Sequence, residues 1–133
     1  MVYRIFIVED HPVMRDAYAR VLAREADLEL AGVAASAEEA LATFDGTPCD
    51  LVVADVSLPG MDGIRLVERL RARRPGLTAL VISGYEEEVY ARRAREAGAH
   101  AFLSKRGLER TLPEAIREAL GGEGSGDLQA PPA

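Results

Sequence analysis

The chain has 133 residues, 48% of them hydrophobic, enough for one globular core. Its 22 acidic and 16 basic side chains leave a net charge of −6, which excludes a broad basic surface for nucleic acid. A single cysteine, Cys49, excludes an internal disulfide, and no apolar run approaches the ~20 residues needed to span a bilayer.

The N-terminus runs directly into a strand pattern with no cleavage region after it, so a reducing, cytoplasmic setting is expected. Tyr3 to Val8 reads as the first strand, ending in Glu9-Asp10-His11-Pro12. Proline suits the first turn of a helix, and Asp10 or His11 can cap it. That helix carries Val13, Met14, Ala17, Val21 and Leu22 on one face. Leu28 to Ala34 is a second strand. Ser36 to Glu39 forms a capping box, opening a helix with Ala37, Ala40, Leu41 and Phe44 in register. Cys49 reads as a small buried apolar residue just before the next strand.

Leu51 to Asp55 is an apolar, β-branched run that stops on one carboxylate, the composition of a strand covered on both faces. Pro59-Gly60 and Asp62-Gly63 punctuate a loop, and a helix follows from Gly63 to Arg74. Leu77 to Ser83 is a fourth strand, Glu86 to Ala97 a helix stopped by Gly98, and His100 to Ser104 a short fifth strand followed by Lys105. A last helix begins at Thr111-Leu-Pro-Glu114, with Leu112, Ala115, Ile116, Ala119 and Leu120 on one side, and closes at Gly121. Residues 1–120 are expected to form one domain. Residues 121–133, rich in Gly, Ser and Pro, have the composition of a flexible linker.

Five strand–helix alternations call for an α/β domain with a parallel sheet and helices on both faces. Right-handed crossovers favour the flavodoxin-like strand order 2-1-3-4-5. In that order the carboxyl ends of strands one, three, four and five converge. They bring Glu9, Asp10, Asp55, Ser83 and Lys105 to one crevice. Each is separately explicable as a turn residue or helix cap; together they make a site. Three carboxylates so placed repel one another, and a divalent cation removes the conflict. An all-oxygen ligand set suits Mg²⁺ better than zinc. A carboxylate beside Mg²⁺ can attack phosphorus, with Lys105 and the Ser83 hydroxyl receiving the developing charge.

The motifs Val-Glu-Asp-His-Pro (8–12), Asp-Val-Ser-Leu-Pro-Gly-Met-Asp-Gly (55–63), Ile-Ser-Gly-Tyr (82–85) and Phe-Leu-Ser-Lys (102–105) closely resemble the receiver (CheY-like) domain of bacterial two-component response regulators. The resemblance covers residue 3 to about residue 120. It implies Asp55 as phosphoacceptor and Asp10 as a direct Mg²⁺ ligand, with Glu9 acting largely through water and the Ser57 carbonyl completing the set. It further implies that Ser83 and Lys105 bind the phosphoryl group and that Phe102 is an aromatic switch on the face made by helix four, strand five and helix five. A sensor histidine kinase or acetyl phosphate would be the donor, and a phosphorylation-dependent homodimer a consequence.

Three details depart from the best-known pattern. Glu9 replaces an aspartate, Phe102 stands where tyrosine is common, and Arg106 replaces a proline after Lys105, which argues against a cis bond there. His-Pro after the acids resembles the subfamily with a C-terminal helix-turn-helix. The segment is therefore expected to be the regulatory half of a transcriptional regulator. Competing readings are a stand-alone or degenerate receiver used for docking or dimerisation, and a haloacid-dehalogenase-type phosphatase. The phosphatase would want a second aspartate where Ser57 stands. His11 and His100 read as loop and strand-start residues, and Arg92, Arg93 and Arg95 as a solvated face or partner surface. Tyr85 is close enough to Ser83 to shade a phosphoryl group from water.

Overall fold

The computed structural model describes residues 1–84 and 88–121; the expectations for Tyr85 and for the tail beyond Gly121 lie outside the described residues. The elements are β1 (Tyr3–Val8), α1 (Pro12–Ala23), β2 (Leu28–Ala34), α2 (Ala37–Thr43), β3 (Leu51–Asp55), α3 (Gly63–Arg73), β4 (Thr78–Ser83), α4 (Glu88–Glu96), β5 (Ala101–Ser104) and α5 (Leu108–Leu120). A 3-10 turn, Phe44–Gly46, extends α2. The sheet order is β2-β1-β3-β4-β5, parallel at every pairing, as the alternation requires.

The period-2 pleat divides the core into two layers. Phe6, Val8, Val52, Ala54, Ala79 and Val81 face α2, α3 and α4; Ile5, Ile7, Leu51, Val53, Leu80 and Ile82 face α1 and α5. The same alternation carries Asp55, after Leu51 and Val53, toward the α1–α5 side. Local chemistry fixes the helix starts. The Ser36 hydroxyl accepts from the Glu39 amide at 3.0 Å, and Glu39 Oε1 accepts from the Ala35 amide at 2.8 Å. Asp62 caps α3 by accepting from the Arg65 amide at 2.8 Å. A Cβ on Gly63 would lie 1.9 Å from the Asp55 carbonyl oxygen, so only glycine lets α3 begin this close to the end of β3.

The structure corrects four expectations. Val13 is exposed, and Tyr18 takes its place on the buried face of α1 with Val21 and Leu22. Helix α5 begins at Leu108, before Pro113, because Leu108 is fully buried; the proline costs one intrahelical amide instead of marking the start. Cys49 is only partly buried, with its sulfur 3.8 Å from Arg74 Nη1, and Arg74 also lies over the Phe44 ring. Neither Asp10 nor His11 caps α1 through its side chain: His11 holds the N-cap position, and its amide donates to Glu9 Oε2 at 3.2 Å. The Lys105–Arg106 bond is trans.

Candidate functional site

The carboxyl ends of β1, β3, β4 and β5 form one rim. Glu9 and Asp55 are buried there, 0% and 2% exposed, while Asp10 stands in solvent. Lys105 Nζ lies 2.8 Å from Asp55 Oδ2 and 3.0 Å from Glu9 Oε1. The lysine reaches this position because its own amide donates to the Ser83 carbonyl at 2.9 Å, prolonging the β4–β5 ladder by one residue. The Ser57 amide donates to Asp55 Oδ1 at 3.2 Å, which orients the carboxylate. Arg15 Nη1 donates to the Glu9 carbonyl at 2.9 Å and ties α1 to the same corner.

One oxygen from each of Glu9, Asp10 and Asp55 lies within 4.8 Å of the others. Burial, and then the charge of Asp55, push the Glu9 carboxyl above its ordinary pKa; Lys105 opposes them without prevailing. Burial works against the Lys105 ammonium, but its hydrogen bonds to Asp55 and Glu9 hold its pKa above the usual lysine value. Glu9 Oε1, although 3.0 Å from the ammonium, has no aligned hydrogen bond. One lysine is thus shared between two buried acids with a third acid beside them, and the rim remains short of positive charge. That deficit, and a donor set made only of oxygen, fit a hard divalent cation.

Ser83 is fully buried at the end of β4, on the α3–α4 side of the sheet. Phe102 is partly buried and packs against that layer with Tyr90. Ser57 is exposed in the β3–α3 loop, and His11 is exposed beside the acids. His100 Nδ1 accepts from the Ala79 amide at 3.2 Å at the start of β5, so its part is in strand pairing. Two contacts escaped the sequence reading. Arg93 does not merely face solvent: its guanidinium pairs with Asp62 at 3.1 Å, joining α4 to the cap of α3. Glu38 Oε2 accepts from the Met61 amide at 3.3 Å and steadies the loop after Asp55. A glutamate two residues into a capped helix carries no mark of that long-range role.

The model of the response regulator receiver domain family matches residues 5–117. The chain belongs to that family. An uncharacterized transcriptional regulatory protein, YhcZ, of Bacillus subtilis is 34% identical over 90% of this chain and 56% of its own length. The transcriptional activator protein ExaE of Pseudomonas putida is 37% identical over 89% of this chain and 55% of its own. The chain therefore spans about half the length of the curated relatives it matches. Among solved structures, a LuxR-family two-component response regulator from Aurantimonas sp. SI85-9A1 superposes with a TM-score of 0.87 at 32% identity, covering 92% of this chain and 87% of that one. Receiver domains are signalling domains, for which aspartate phosphorylation with Mg²⁺ is typical. No described helix is long and apolar enough to cross a membrane.

Proposed function

We propose that this receiver domain accepts a phosphoryl group on Asp55 and uses the event to switch the face formed by α4, β5 and α5. The observation that carries the reading is the buried Asp55 carboxylate, held by Lys105 at 2.8 Å beside two further acids. Glu9, Asp10, Asp55 and the Ser57 carbonyl would hold Mg²⁺, which when bound supplies positive charge to the transferring phosphoryl group. The Asp55 oxygen bonds to phosphorus as the P–N bond of a kinase phosphohistidine, or the P–O bond of acetyl phosphate, breaks. Lys105 then follows the new negative charge away from Glu9, and the Ser83 hydroxyl donates to a phosphoryl oxygen. Phe102, on β5 and packed against the α2–α3–α4 layer, turns inward as β5 moves. A differential affinity of a few kcal/mol between two pre-existing arrangements is sufficient.

The relatives are named as transcriptional regulators, so the face so altered would control a DNA-binding segment or a homodimer of the whole protein. Incubation with acetyl phosphate and Mg²⁺, followed by intact-mass measurement, tests the reading. One phosphoryl group per chain, lost with chelator and in Asp55→Asn, is expected. Continuous turnover of a phosphomonoester without a labelled protein would overturn it.

A further inference from the structure

Among the described residues, two buried side-chain polar atoms lack a hydrogen-bond partner: Glu9 Oε1 and the Tyr18 hydroxyl. One is an acceptor and the other a donor. Tyr18 is fully buried on α1 and packs in the layer that contains Ile5, Ile7, Leu51 and Val53. One pleat further along those two strands come Glu9 and Asp55, so the tyrosine belongs to the layer of the core that the acidic rim closes. Burial holds the phenol far above its ordinary pKa, and the charges of Glu9, Asp55 and Glu109 push the same way. The hydroxyl therefore keeps its proton and remains a donor. A phenylalanine would fill nearly the same volume, and packing alone gives no reason to bury an unpaired hydroxyl here.

Resting on the Asp55 reading, we propose that Tyr18 is a positioning residue for the phosphorylated state: its hydroxyl donates to Glu9, directly or through one buried water, once Lys105 leaves Glu9 for the phosphoryl group. In the unphosphorylated arrangement Lys105 is 3.0 Å from Glu9 Oε1 and serves Asp55 at the same time. Phosphorylation places new negative charge on the outer side of Asp55 and draws the ammonium toward it. Glu9 then loses the ammonium while still buried; a metal held largely through water would serve one carboxylate oxygen, and the other still needs a donor. Among the described residues, the one buried side-chain donor without a partner is the Tyr18 hydroxyl, in the same layer of the core.

The test compares wild type and Tyr18→Phe, titrated with beryllofluoride at fixed Mg²⁺ and followed by thermal unfolding, with the metal-free midpoint as a control. The variant is expected to need at least threefold more beryllofluoride for half-maximal stabilisation, whatever its metal-free midpoint. In a Glu9→Gln background the same substitution is expected to add nothing. A requirement raised by less than threefold, or an undiminished effect in the Glu9→Gln background, overturns the proposal. Wild-type protein that responds to neither Mg²⁺ nor beryllofluoride would instead overturn the Asp55 reading, and this inference with it.

Discussion

The layer between α1 and α5 holds a shared cation at each edge of the sheet. At the carboxyl edge Lys105 serves Glu9 and Asp55, both buried. At the opposite edge Arg117 meets Glu25 at 2.6 Å, Asp27 at 2.8 Å and Glu114 at 3.7 Å, all partly solvated. Arg117 also donates from Nε to Asp27 at 2.9 Å, so its fork grips that carboxylate with two bonds. The hydrogen bonds from Arg117 outweigh burial and hold the Asp27 carboxyl below its ordinary pKa, whereas burial and Asp55 push the Glu9 carboxyl above its own. One edge is a satisfied clasp between α5 and the turn after α1. The other is kept short of charge, which is the state a cation-binding phosphoryl site requires.

Replacing the two cations separates these roles most sharply. Lys105→Met leaves two buried carboxylates without a counter-charge and is expected to cost about 3 kcal/mol of metal-free stability at neutral pH, read by urea unfolding and partly restored by Mg²⁺. Glu9→Gln works in the opposite direction: removing a buried charge is expected to stabilise the metal-free protein, read as a higher urea midpoint. A carboxyl with a raised folded pKa stabilises below its unfolded value of 4.5, and that contribution is lost as pH rises through the folded value. The gain from Glu9→Gln should therefore be small near the unfolded value, grow toward neutrality, and shrink again with Mg²⁺.

Arg117→Leu is expected to have the smallest effect, because its partners remain hydrated. Its pH dependence has the reverse sign. The contribution of Asp27 is present above its unfolded value of 3.8 and disappears as pH falls through the lowered folded value. High salt should reduce the loss in Arg117→Leu and leave the Lys105→Met loss nearly unchanged. Equal salt dependence at the two edges would break the distinction between them.

Much of this was legible in the chain. Apolar runs ending in Glu9-Asp10, Asp55, Ser83 and Lys105 specify both the strands and what their tips carry, and the parallel order brings those tips together. Less visible was anything decided by which helix face meets the sheet. Val13 and Tyr18 compete for α1, and a residue in the first turn after Pro12 points away while Tyr18 lies over β1 and β3. Pro113 resembles a helix start, yet burial of Leu108 outweighs one missing amide bond. Salt links such as Arg93 to Asp62 and Arg117 to Asp27 join residues 31 and 90 positions apart, and no local pattern announces them.

The most direct test is to locate the phosphoryl group itself. After reaction with acetyl phosphate and Mg²⁺, reduction with borohydride and peptide mapping should place the modification on Asp55. The same treatment of Asp55→Asn should leave every peptide unmodified. A label on any other residue, or one that persists in Asp55→Asn, would contradict the account.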